Sequence, residues 1–246
     1  MEWFPEPTTL ISLLWQCDSA VAVNKPAGLS TTSPPGTDSL EWRLRAQLDC
    51  EAGFLSAVHR LDRDVSGVVL IALSKKAARL LSAQFAARRV SKTYHAWVCG
   101  CMSVPAPDAP LERWTDYLRK IDDVAQGEVC PSDAPGAKLA QTDVRLLRYD
   151  APSDRTLLEL HPITGRMHQL RIQTAARGHA IVGDPIYGLS VESTGVSDTA
   201  LPTGCIALTA VKIAFHHPRS GKRTVVSLES SQSEGGKEVQ QPTRPL

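Results

Sequence analysis

Apolar positions in this chain gather into short runs more than into long helical stripes. Val21-Ala22-Val23, Val68-Val69-Leu70-Ile71-Ala72-Leu73, Thr156 to Leu160, Val211 to Phe215 and Thr224 to Leu228 each read as strands. A run that is apolar throughout belongs in a sheet covered on both faces, so several of these strands are placed centrally. Ser91 to Cys99 alternates instead. That spacing puts Lys92, Tyr94, Ala96 and Val98 on one side and Thr93, His95, Trp97 and Cys99 on the other. Ser74 followed by Lys75 to Arg89 predicts an N-capped amphipathic helix, with Ala77, Leu80, Leu81, Gln84 and Phe85 on its apolar face. A second helix is predicted from Arg166 to Arg177, with Thr164 near its start and Gly178 just past its end. Strands and helices mixed without regular βαβ alternation favour the α+β class.

At 246 residues the chain is long enough for a substantial core. Residues 1–16, with Pro5, Pro7 and one short apolar stretch, read as an arm that docks on the domain beginning at residue 17. Residues 17–229 read as one domain. Residues 230–246 are rich in Ser, Gln, Gly and Pro, a composition that cannot offset ordering entropy, and are expected to be disordered. Met102 to Lys138 holds prolines and an acidic cluster and reads as a long excursion from the core.

Composition narrows the function classes. Hydrophobic residues make up 42% and charged residues 22%, as in ordinary globular proteins, and no stretch approaches the roughly 18 apolar residues of a spanning helix. The amino terminus lacks the basic start and apolar run of a signal peptide, so a cytoplasmic location is expected and no membrane partner. Six scattered cysteines without a Cys-x-x-Cys pair signal neither a zinc site nor a disulfide framework. No heptad or apolar patch is evident, which makes a monomer the default. The charge sum of 27 basic and 26 acidic residues, +1, argues against indiscriminate coating of nucleic acid. The total conceals segregation, however. Val65 to Gly100 contains no Asp or Glu, but does contain Lys75, Lys76, Arg79, Arg88, Arg89 and Lys92, either a solvated helix face or a phosphate-contacting surface.

Two polar clusters are candidates for chemistry. His59-Arg60-Leu61-Asp62-Arg63-Asp64-Val65-Ser66-Gly67 directly precedes the most apolar strand, where charges need partners; taken alone, an internal ion-pair network explains it better than catalysis does. In His161 to Gln173, His168 and Arg171 lie three apart and share a helix face, and an arginine there can hold a carboxylate ionised and oriented. Asp62, Asp64, His59, His161 and His168 have no familiar metal-ligand spacing. Phosphate-loop, dinucleotide and nucleophile-elbow signatures are absent, so no cofactor is implied.

Five motifs in order change the weighting. Asn24-Lys25-Pro26-Ala27-Gly28-Leu29, His59-Arg60-Leu61-Asp62 with Ser66-Gly67, Lys92-Thr93-Tyr94, Thr164-Gly165-Arg166 with His168-Gln169-Leu170-Arg171, and Gly183-Asp184-Pro185-Ile186-Tyr187-Gly188 together resemble the RluA-type pseudouridine synthases. The resemblance implies a mixed, mainly antiparallel central sheet with flanking helices and a catalytic cleft. It implies isomerisation of specific uridines in structured RNA, ribosomal or transfer, with RNA as partner and no cofactor. Asp62 matches the catalytic aspartate, Tyr94 the tyrosine that packs on the base and is implicated in proton removal at carbon 5, and Arg171 the basic partner of the aspartate. Arg60 resembles an arginine that holds RNA open around an extruded nucleotide; Lys92, Arg166 and His168 complete the expected substrate-binding set. Gly183-Asp184 and Tyr187-Gly188 read mainly as a tight turn. Val65 replaces a usual threonine and Gln173 a usual histidine. These departures leave a non-catalytic RNA-binding protein on the same scaffold as the alternative.

Overall fold

The computed structural model describes residues 10–49, 53–103, 110–188 and 205–228. The expected disordered tail, residues 230–246, lies outside them. Eleven strands form one sheet: β1 (Ser12–Cys17), β2 (Ala20–Lys25), β3 (Ser56–Ala57), β4 (Ser66–Ala72), β5 (Ser91–Cys99), β6 (Glu112–Lys120), β7 (Gly127–Val129), β8 (Lys138–Asp150), β9 (Arg155–Pro162), β10 (Leu208–His216) and β11 (Arg223–Ser227). Their order is β1-β2-β4-β10-β5-β9-β8-β6-β7, with β3 on β4 and β11 on β10. Every pairing is antiparallel except β4 with β10. The fold is therefore α+β with a mixed, mainly antiparallel sheet.

β4 is apolar at successive positions because both of its faces are covered. Val69 and Ile71 pack into the larger core with Leu40, Leu44, Tyr94, Leu158 and Leu160. Val68, Leu70 and Ala72 pack on the other side with Ala77 and Leu81 of α2 (Lys75–Ala86). Ser74 caps that helix, its side chain accepting from the Ala77 N–H at 3.2 Å. The parallel contact of β4 with β10 depends on Gly67. Its φ is +116°, and a Cβ there would stand 2.2 Å from the Ala210 carbonyl oxygen. At this junction the Ser66 and Thr209 hydroxyls lie 2.9 Å apart.

Three sequence expectations need correction. The segment from Met102 to Lys138 is no excursion from the core throughout: β6 and β7 extend the sheet, and β6 buries Trp114 and Leu118. Only one face of β6 is apolar, so its charged outer face masked the alternation. Ser12–Cys17 of the expected arm is an edge strand running across the boundary at residue 17. The second helix, α3 (Gln169–Ala175), is shorter than Arg166 to Arg177. His168 takes a left-handed backbone at φ +50°, and the Gln169 side chain accepts the Arg166 N–H at 3.0 Å, so the residues before Gln169 form a turn. Gly178, at φ +81°, lies two residues beyond the Ala176 cap and so is not the residue directly after the helix, as the longer helix had implied. A helix that the pattern did not signal, α1 (Leu40–Gln47), covers the larger core through Leu40 and Leu44.

Candidate active site

Asp62 sits in the loop that leads into β4, and that loop is held by groups distant in sequence. Lys25, fully buried at the end of β2, donates from Nζ to the carbonyls of Pro26, Leu29 and Arg63 at 2.9, 2.7 and 3.0 Å. Thr31 brackets Leu61: its hydroxyl donates to the Leu61 carbonyl at 3.0 Å and accepts the Leu61 N–H at 3.1 Å. The Gly28 N–H donates to the Arg63 carbonyl at 2.9 Å. The Asn24 to Leu29 motif is thus the clamp of the loop carrying Asp62. Burial pushes the Lys25 amine from 10.5 down to about 8, against the pull of Asp64 and Asp62.

The charged cluster around Asp62 is not an internal ion-pair network. Arg63 pairs with Asp64 at 3.0 Å, the Arg63 side chain remaining largely exposed, and Arg60 is exposed at the cleft. His59 accepts the Leu70 N–H on Nε2 at 3.0 Å and stacks on Phe85 at 4.8 Å. Burial, with a smaller push from Lys92, lowers its pKa to about 3, so this imidazole is neutral and structural.

A cavity of about 520 Å³ joins Asp62 to Tyr94 and Lys92 of β5 and to His168 and Arg171 around the start of α3, with Arg60 and Arg166 at its edge. That size suits a single nucleoside. Arg171 Nη1 lies 3.6 Å and His168 Nε2 3.8 Å from the same oxygen, Asp62 Oδ2. All seven side chains singled out from the sequence line this one cavity. Val65 lies buried in its wall. Gln173 points away from Asp62: it accepts from the Thr142 hydroxyl at 2.6 Å and donates to Asp116 at 2.7 Å.

Arg171 has a second carboxylate, and the sequence reading missed its importance. Its Nε and Nη2 donate to Asp184 at 2.6 and 2.7 Å, a bidentate fork in which both side chains are buried. Asp184 also accepts the N–H groups of Ile186 and Tyr187 at 2.9 and 3.1 Å. Burial opposes both charges. Their mutual bonds outweigh it, lowering the Asp184 pKa and raising that of Arg171, to which the Asp62 charge adds. The Gly183 to Gly188 segment does turn tightly, with the Gly188 N–H on the Asp184 carbonyl at 3.0 Å. It also brings Tyr187 against Arg171, guanidinium to ring centroid 5.2 Å, and against His168, whose Nδ1 lies 3.0 Å from the Tyr187 hydroxyl. Asp next to Pro made the turn legible; nothing local marked the partners.

Tyr94 is buried, and burial together with the Asp62 charge pushes its phenol well above its ordinary range. It keeps its proton, so the ring can offer its face to an uncharged flat base and its oxygen can take up a proton only while releasing its own. Burial also lowers the pKa of Lys92. Two further concavities flank the first. One of about 490 Å³ presents Arg60, Arg88, Lys92 and Arg166; the other, about 860 Å³, presents Arg119, Lys120, Lys138 and Arg166 together with Asp122 and Glu128. Of the basic helix, Arg88 just beyond α2 reaches this groove. Lys75, Lys76 and Arg79 are among the residues lining none of the three.

A family model described as RNA pseudouridylate synthase matches residues 19–176. The tRNA pseudouridine synthase C of Yersinia pestis is 35% identical over 223 residues, covering 87% of this chain and 84% of that protein. The dual-specificity RNA pseudouridine synthase RluA of Vibrio parahaemolyticus is 33% identical over 226 residues, covering 89% and 83%. Human RNA pseudouridylate synthase domain containing 1 shares the fold, with a TM-score of 0.70 at 23% identity over 92% of this chain and 85% of that one. Sheet, cavity and these matches define the class, an isomerase that rearranges uridine within RNA. The chain belongs to the RNA pseudouridylate synthase family, and within it to the RluA type.

Proposed function

We propose that this pseudouridine synthase acts on particular uridines of structured ribosomal or transfer RNA, with Asp62 as its catalytic carboxylate. The observation that carries the reading is the convergence of Asp62, Tyr94, His168 and Arg171, from three separate parts of the chain, on one nucleoside-sized cavity. The reaction breaks the bond from uracil N1 to ribose C1′ and makes one from C5 to C1′; C5 loses a proton and N1 gains one. Atoms and electrons balance within the nucleoside, so the reaction itself calls for no nucleotide or metal cofactor. Asp62, faced by the Arg171 guanidinium at 3.6 Å, serves as nucleophile or electrostatic partner of the detached sugar. Tyr94 stacks on the base. Lys92, Arg60 and Arg166 contact the backbone of an RNA whose target base has been extruded, at a cost of a few kcal/mol that such contacts offset. We place the enzyme in the cytoplasm as a monomer; among the described residues no helix is long and apolar enough to cross a membrane.

The test is tritium release from RNA labelled at C5 of uridine. Wild-type protein is expected to release it, and Asp62→Asn to bind the RNA without release. Full release by Asp62→Asn contradicts the assignment, and RNA binding without release by the wild type favours a non-catalytic role.

A further inference from the structure

The strand β7, the Gly183 to Gly188 turn and the start of α3 are connected by one chain of hydrogen bonds that ends at His168, which faces Asp62. The Gly127 N–H donates to the Tyr187 hydroxyl oxygen at 2.9 Å. That hydroxyl still carries its own proton, and among the described residues the acceptor it reaches is His168 Nδ1, 3.0 Å away. An imidazole that accepts on Nδ1 carries its hydrogen on Nε2 when neutral. Nε2 is the nitrogen facing Asp62 Oδ2, at 3.8 Å.

We infer that Tyr187 locks the tautomer of His168, making it a positioning residue that offers an N–H to the same Asp62 oxygen that Arg171 faces. The inference rests on Asp62 being the catalytic carboxylate and deepens that reading. At 3.8 Å the contact is longer than a hydrogen bond, as is the 3.6 Å contact from Arg171. Two donors standing off one oxygen are placed to close on it when the nucleotide fills the cavity. Burial lowers the His168 pKa, with the Asp62 charge working the other way, which keeps the ring neutral and makes its tautomer matter. The arrangement also gives β6 and β7 a task. Gly127 is where β7 meets the site: a Cβ there would stand 3.0 Å from the Arg119 carbonyl oxygen and 3.0 Å from Ile172 Cδ1. The close approach that glycine permits delivers the first donor of the chain.

The test combines ring-nitrogen NMR of the full chain with single-turnover tritium release from bulk tRNA and rRNA labelled at C5 of uridine. Wild-type His168 is expected to be protonated on Nε2 and bare on Nδ1, and Tyr187→Phe to lose that preference. Tyr187→Phe and His168→Asn are expected to slow turnover roughly tenfold or more, with KM unchanged, the order expected for a hydrogen bond to a charged group. His168→Gln, whose amide reaches the place of Nε2, is expected to be faster than His168→Asn, whose amide reaches only that of Nδ1. A merely structural role gives the reverse order, because Asn tolerates the left-handed backbone at residue 168 better than Gln. Protonation on Nδ1 in the wild type, or Asn matching or exceeding Gln, overturns the inference while leaving Asp62 catalytic. Full activity of Asp62→Asn overturns the underlying reading and the inference with it.

Discussion

Lys25 holds the loop that carries Asp62 and is not among the residues that line the cavity. Its ammonium is out of water and spends three donors on loop carbonyls, and burial lowers its pKa to about 8 while the unfolded chain titrates near 10.5. Between pH 8 and 10.5 the unfolded chain binds a proton that the folded chain has released, so this residue's contribution to stability rises with pH across that window and is lost as pH falls through 8. Urea unfolding from about pH 7.5 to about pH 10 is the measurement. The stability of wild type relative to Lys25→Met is expected to shift in favour of wild type above pH 8; a constant difference contradicts the desolvation argument. The motif around Lys25 carries no local sign of its burial, because a buried lysine announces itself only through what covers it. That Asp62, Tyr94 and Arg171 share one cavity was legible, since each belongs to a short motif with residue types suited to the proposed chemistry. Asp184 and Tyr187 were read as turn formers because their partners are 13 and 19 residues away, respectively, around a bend that spacing does not reveal.

At the scale of elements, the site is assembled where β4 meets β10, and Gly67 makes the meeting possible. Any side chain at this position collides with the Ala210 backbone and forces φ +116° on a residue that resists it. Gly67→Ala is expected to destabilise the protein by roughly 3 kcal/mol or more, the sum of backbone strain and overpacking, read as a lowered urea midpoint. A change within about 0.5 kcal/mol, the usual range for surface positions, contradicts a close-packed junction. β4 and β5 were readable from sequence because one is apolar on both faces and the other alternates cleanly. β6 was not, since Trp114 and Leu118 are its only buried side chains among charged neighbours. The start of α3 was misplaced for a different reason: the Gln169 side chain caps the turn that precedes it, and a left-handed histidine carries no sequence signal.

For the whole molecule, the near-zero net charge describes the surface poorly. Basic side chains from the Asp62 loop, β5, the end of α2, β6 and the Gly165-Arg166 turn meet in three adjoining concavities, although the sum over the chain is +1. Binding through such a groove depends on the shape of the RNA as well as on its charge, which fits an enzyme that selects few uridines. The basic run of α2 suggested a track along Lys75, Lys76 and Arg79, whereas the groove draws on Arg88 at the far end. The central claim, that Asp62 isomerises particular uridines, is tested most directly by mapping pseudouridine at single-nucleotide resolution across ribosomal and transfer RNA. The comparison needs cells with the gene, without it, and without it but supplied with Asp62→Asn. One or a few sites are expected to vanish with the gene and not to return with Asp62→Asn; an unchanged map, or full restoration by Asp62→Asn, contradicts the claim.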